Sequence, residues 1–440
     1  MATYYISTTG NDTTGVGSIS NPWATWQKGF NEVVAGDTLY IRGGIYQPIG
    51  TFIHNPFGTD WYACAGANNK SGTLEQPIIV RNYPGERPIL DGINNTAANN
   101  GGAGSRFGIL MRRCSYWQMY GLEVTNVVQL SGELGVRAIQ FYDYSHHNRL
   151  EQIVSHDNGG SGICFIYDCN DNDIVNCDSY NNYDHLSVPT PGNNADGIEI
   201  ADITVTTYTN RINGCRCWDN SDDGIDLMRN EGIVIIDNTW CFINGVTADY
   251  QATGFKLGAA SQVTATPHRI IRNCIAANNK NGGFVLNISS QICHLYNNIA
   301  VNNGWHGFTW YNGTTDIAAS IIRNNISYNN YSYQYSYMEI PPIVFDHNNW
   351  DAYYDQTGPV ITDNDFISVD YTEMLLQRKS DGSLPDIDYM HPKSTSSIID
   401  AGIDVGLPYI GAAPDLGPFE YFEEEDILIP NLHLYKIAIL

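Results

Sequence analysis

Gly224-Ile225-Asp226-Leu227, preceded by Ser221-Asp222-Asp223, and Gly254-Phe255-Lys256-Leu257 are two copies of one unit, a glycine followed by an apolar, an x and a second apolar residue. The unit recurs upstream as Gly162-Ile163-Cys164-Phe165 and Gly197-Ile198-Glu199-Ile200, and downstream as Gly283-Phe284-Val285-Leu286 and Gly307-Phe308-Thr309-Trp310. Successive glycines stand 35, 27, 30, 29 and 24 positions apart. Such spacing belongs to solenoids and is too uneven for the blades of a propeller.

In a solenoid, equivalent strands stack in parallel about 4.8 Å apart and side chains alternate in and out. The two apolar positions then form internal ladders, and the middle position faces outward. An Asn recurs beside each unit, at Asn158, Asn181, Asn220, Asn244, Asn278, Asn302 and Asn329. Asn tolerates left-handed backbone and its amide can bond to the coil above, so this column is expected to mark turns. The pattern extends more loosely through Gly108-Ile109-Leu110-Met111, Ala138-Ile139-Gln140-Phe141 and Gly36-Asp37-Thr38-Leu39-Tyr40-Ile41. The expected fold is all-β, a right-handed parallel β-helix of roughly ten coils. Residues 1–35 are expected to cap one end and 36–420 to form the helix, with irregular C-terminal coils and a cap over 331–420; 421–440 is an acidic and apolar tail.

Composition supports one uniform elongated domain. Of 440 residues 42 are Gly and 29 Tyr, and only 16% are charged. No apolar run approaches the roughly 18 residues of a membrane span, and no basic, apolar leader opens the chain; an exported protein whose signal is absent from this sequence is expected. A net charge of −25 with 22 Lys and Arg opposes nucleic acid as a partner, since phosphate binding depends on basic residues. A polyanionic substrate must instead be held locally, for which a bound cation serves. The ten cysteines include no C-x-x-C pair and read as small buried residues of a strand stack.

Register also places chemistry. Glu199, Asp226 and Lys256 occupy the outward position of three successive coils. Asp196 and Asp223 precede the glycines of two of them, with Asp222 one residue earlier. Stacked carboxylates repel unless a cation intervenes. Hard oxygen donors without His or Cys favour Ca²⁺, the alternative being a plain solvated acidic face. Lys256, in the next coil, is either an ion-pair partner of Asp226 or a base, and as a base it must be neutral when it acts.

The ordered set Ala195-Asp196-Gly197, Ser221-Asp222-Asp223-Gly224-Ile225-Asp226 and Gly254-Phe255-Lys256-Leu257-Gly258 resembles the family 9 polysaccharide lyases. Tyr83-Pro84-Gly85-Glu86-Arg87-Pro88 and Asp415-Leu416-Gly417-Pro418-Phe419-Glu420 extend the resemblance over most of the chain. Ile225 departs from it, standing where a Trp is expected. The resemblance implies that Asp196, Asp222, Asp223 and Asp226 bind calcium and that Lys256 is the base in β-elimination on galacturonate, in homogalacturonan or rhamnogalacturonan. A monomer acting on pectin is expected. Arg229 and Lys280 are candidate contacts to the anionic polymer, and Glu199 is an acid that register sets beside the cation.

Two alternatives stand beside this one. An inverting polygalacturonase-type hydrolase would use Asp222-Asp223 with Trp305-His306-Gly307, but His306 lies three coils from Asp223, about 14 Å at the usual strand spacing. A non-catalytic glycan-binding solenoid would need calcium only for rigidity and would leave Lys256 unexplained.

Overall fold

The computed structural model describes residues 1–53, 61–100, 104–130, 135–245, 252–258, 266–287, 289–309, 320–332, 335–336, 344–350 and 358–422. Trp310 and all of the expected tail beyond Phe422 lie outside them. Among these residues the strands form three sheets of 12, 10 and 11 strands, each strand pairing with those one coil away. Pairing is parallel except where Thr51–Ile53 meets Trp61–Asn68. Three parallel sheets wound about one apolar core make the β-helix anticipated from the repeat. No helix among the described residues is long and apolar enough to cross a membrane.

The Gly-apolar-x-apolar units build the 11-stranded sheet. Ile163 pairs with Ile198, then Ile225, Phe255, Phe284 and Phe308 follow in register, all fully buried. In-register stacking sets like side chains on one another, and the rings of Phe255, Phe284 and Phe308 lie nearly parallel at 4.6 and 4.9 Å, worth about 1 kcal/mol per pair beyond burial. Ile225 sits in this ladder, so its departure from the family pattern is a packing matter. Ile109 and Ile139 continue the ladder upstream. Thr38–Ile41 does not: it belongs to the 12-stranded sheet, between Thr3–Ile6 and Ile78–Asn82.

Close approach dictates the glycines. A Cβ on Gly224 would lie 2.7 Å from the Gly254 carbonyl oxygen and 2.9 Å from Asn244 Nδ2. That amide belongs to a ladder of Asn158, Asn182, Asn220, Asn244, Asn279, Asn303 and Asn330, each Nδ2 donating to the next Oδ1 at 2.8–3.0 Å. The Asn column expected from sequence is therefore two columns. Asn181, Asn278, Asn302 and Asn329 sit one residue earlier with φ of 50–54°, supplying the left-handed turn. Where the pair is Asp157-Asn158, Asp219-Asn220 or Ile243-Asn244, the turn position is taken by another residue, with φ of 54°, 51° and 50°. Adjacent asparagines differ in role but not in composition, which is why the two columns merge on inspection. A second turn stacks Cys177, Cys215 and Thr239 by similar bonds, and all ten cysteines are buried free thiols.

The N-terminal end is covered by the helix Trp26–Glu32, capped by Thr25, with Trp26, Gly29 and Phe30 buried. Val344–Asp346 extends the 12-stranded sheet at the other end. Of the segment 331–420 expected as irregular coils and cap, the part from residue 358 runs back along the flank of the 10-stranded sheet. Phe366, Met374, Tyr389 and Ile398 pack there on Trp240, Phe242, Ile275 and Ile299. The Asp178 carboxylate pins this strap, bonded to Arg216 at 2.7 Å and to Arg378 at 2.7 Å. Burial would raise its pKa, but the two guanidiniums hold it below the ordinary carboxylate value.

Two outcomes follow from these contacts. Asn244→Ala leaves buried partners unsatisfied on both sides and should cost about 3 kcal/mol in urea unfolding. A depressed pKa gives stability that is present above the unfolded value and lost as pH falls through the folded one. Proteolytic nicking within 358–422 should thus rise below about pH 4 in the native protein and already occur at neutral pH in Asp178→Asn.

Candidate active site

Two columns on the outer face of the 11-stranded sheet carry the candidate residues. Backbone bonds from each repeat glycine align Ser161, Asp196, Asp223, Thr253, Gly282 and His306, through Gly162 to Asp196, Gly197 to Asp223, Gly224 to Thr253, Gly254 to Gly282 and Gly283 to His306. Beside them, strand register aligns Cys164, Glu199, Asp226, Lys256, Val285 and Thr309. Both columns are those expected from the repeat, and His306 is indeed three coils from Asp223.

Outward is not the same as exposed. Asp196, Asp222, Asp223 and Asp226 are all buried, Asp223 completely. One carboxylate oxygen from each of Asp196, Asp223 and Asp226 lies within 4.8 Å of the others. Asp222 stands one position aside, its backbone N–H bonded to the Ala195 carbonyl, and feels the charges of Asp223, Asp226 and Asp184. Burial first, and then mutual repulsion, push Asp196 and Asp222 well above the ordinary carboxylate range. Asp226 is raised to about 7, mainly by burial, with Lys256 pulling the other way.

Lys256 Nζ lies 2.9 Å from Asp223 Oδ2 and 3.0 Å from Asp226 Oδ2. Burial alone would lower its pKa, but Asp223, Asp226, Asp196 and Asp222 together hold it above the ordinary lysine range. The ion pair anticipated with Asp226 is therefore present and is shared with Asp223. Thr253 fixes the far side of Asp223, donating from its backbone N and its Oγ1 to Oδ1, each at 2.7 Å. Thr253 precedes Gly254 as Asp196 and Asp223 precede their glycines, a position in the repeat that marks it without any acid side chain.

Glu199 is beside Asp226 in register, yet its carboxylate is engaged elsewhere. Oε2 is 3.1 Å from Arg137 Nε and 3.5 Å from Cys164 Sγ. Arg137 lies two coils before Glu199 and carries no signal in the repeat. Arg229 has φ of 50° and ion-pairs with Asp202, and Lys280 is exposed on the turn after Asn279. Neither is brought into the acid cluster.

The donors fit a hard divalent cation. Three carboxylates converge in a buried spot, the Asp226 Oδ1 atom has no hydrogen-bond partner among the described residues, and no His or Cys among them is in the convergent set. Oxygen-only donors of this kind suit Ca²⁺. Removing the guanidinium that holds Glu199 leaves a partly buried carboxylate uncompensated, so Arg137→Met should destabilise the chain by about 2–3 kcal/mol, read as a shift in the urea midpoint, with most of the loss recovered in Arg137→Met/Glu199→Gln.

The profile described as "Pel9A-like, right handed beta helix region" matches residues 4–325. Pectate lyase L of Dickeya chrysanthemi is 28% identical over 433 residues, covering 95% of this chain and 90% of that protein. Pectate lyase PEL9 of Emericella nidulans is 28% identical over 425 residues, covering 90% and 94%. The crystal structure of pectate lyase Pel9A superposes with a TM-score of 0.73 at 26% identity over 96% of this chain and 97% of that one. A rhamnogalacturonan lyase structure gives 0.77 at 25% over 90% and 97%. Matched over residues 4–325, which hold both site columns, the chain belongs to the Pel9A-like right-handed β-helix family, the family 9 polysaccharide lyases.

Proposed function

We propose that this protein is a calcium-dependent lyase that cleaves the galacturonate-containing backbone of pectin, homogalacturonan or rhamnogalacturonan I, by β-elimination, with Lys256 taking the C5 proton. What carries this reading is one lysine nitrogen set 2.9 and 3.0 Å from two buried carboxylates at the head of an acidic column. A structural cation site has no use for a lysine in the next coil. Relatives named pectate lyase and a neighbour named rhamnogalacturonan lyase support the substrate class.

Asp196, Asp222, Asp223 and Asp226 would hold the cation. Bound there, calcium supplies a positive charge for the uronate carboxylate and lowers the cost of charge developing beside it when the C5 proton leaves. Asp223 and Asp226 keep Lys256 charged while they pair with it, and committing them as ligands withdraws that support, so the amine can act as a base. The C5 proton passes to Nζ, its electron pair becomes the C4–C5 double bond, and the C4–oxygen bond breaks. The leaving oxygen takes a proton from water, and the new non-reducing end is a 4,5-unsaturated uronate. We read the protein as an exported monomer, in keeping with a polymer substrate met outside the cell.

The test is ultraviolet absorbance of the unsaturated product on polygalacturonate and on rhamnogalacturonan. Chelation should abolish the signal and calcium restore it. Lys256→Ala should lower the rate by about a thousandfold or more with the fold retained by circular dichroism. Activity surviving in Lys256→Ala overturns the base assignment, and new reducing ends without absorbance mean hydrolysis.

A further inference from the structure

We infer that Trp305 and Lys280 form a second uronate-binding subsite, two coils beyond Lys256 on the same face, which holds the polymer away from the bond being cut; this rests on the lyase reading above. Trp305 is 40% exposed and is the one exposed tryptophan among the described residues. Its backbone N–H bonds to the Asn281 carbonyl, and that of Asn281 to Ala252. This places Trp305 in the outer column immediately before Thr253, Gly282 and His306, the column in which Asp222 precedes Asp223. From the coil of Lys256 to that of Trp305 is two steps, about 10 Å at the spacing of stacked strands.

Gly282, Val285 and Thr309 occupy the outward positions over these two steps, and a Cβ on Gly282 would already meet Val285 Cγ2 at 2.6 Å. The Trp305 indole lies against the buried His306 ring, 3.9 Å away between centroids and tilted by 33°. Lys280 is exposed in the preceding coil, and its carbonyl lies under Gly304, where a Cβ would come within 2.2 Å of it. Lys280 and Trp305 thus sit on adjacent coils at the same turn, one position apart in register.

A uronate residue presents the matching pair, an apolar face of C–H bonds and a carboxylate. The indole takes the face and the ammonium takes the charge. On a chain of net charge −25, an exposed lysine at this point also offsets the repulsion that a polyanion meets on approach. Continuity with the Lys256 column makes the occupant the same polymer rather than a separate ligand.

Affinity electrophoresis of the full chain through gels containing polygalacturonate or rhamnogalacturonan, with calcium, reads binding without relying on turnover. Trp305→Ala should lose about tenfold in affinity, Trp305→Phe should keep most of it, and Lys280→Gln should bind more weakly with a flatter salt dependence. In parallel, KM on the bound polymer should rise in Trp305→Ala with little change in kcat, as expected when binding is lost equally in ground and transition states. Equal retardation of native and Trp305→Ala protein overturns the subsite, as does failure of the native protein to be retarded by either polymer. A salt dependence unchanged in Lys280→Gln overturns the lysine's part. If the native protein is retarded through Trp305 but yields no unsaturated product, the lyase reading falls and the subsite stands.

Discussion

Every outward column of this molecule depends on the amide ladder at one turn. Asn244 Oδ1 accepts from Asn220, and its Nδ2 donates to Asn279 at 2.9 Å. Seven asparagines share six such bonds, and because they also satisfy backbone groups, none of the coils they join can slip against its neighbour without breaking several buried hydrogen bonds at once. A one-residue slip would also send every inward side chain out. The glycines follow from the same constraint, since the chain must pass so close to the ladder that a Cβ has no room.

Register held this firmly lets residues about thirty positions apart act as a site. It stacks carboxylates that would otherwise repel, and the structure answers with a cation on each flank. Lys256 is shared between Asp223 and Asp226, while Arg137 draws Glu199 aside. Burial and the neighbouring carboxylates raise both Asp196 and Asp222. The acid trio is thus electrostatically incomplete in a way that a divalent cation with oxygen ligands would relieve.

The terminal motifs have a plainer role. Glu86 of the early motif takes Arg42 and the Gly43 N–H. Asp415 and Glu420 of the late one accept backbone N–H groups near the end of the strap, and burial raises them to about 6 and about 8. Glu86 ties one coil to the next and Asp415 and Glu420 close the end of the strap on itself, which explains why such motifs speak of the fold more than of the chemistry.

The fold, the two site columns and the pairing of Lys256 with an acid were legible in the sequence because a parallel solenoid repeats its geometry: once Gly224 and Gly254 are known to be equivalent, so are Asp226 and Lys256. Signals without periodicity were not legible. Neighbouring asparagines hid which one turns the chain and which one bonds, since both roles favour the same residue. The strap over 358–422 docks through Arg378 on Asp178, 200 residues away, and the diversion of Glu199 comes from Arg137, two coils off the pattern. Such contacts join residues unrelated by the repeat, and only the closing of the coils on one another brings them within bonding distance.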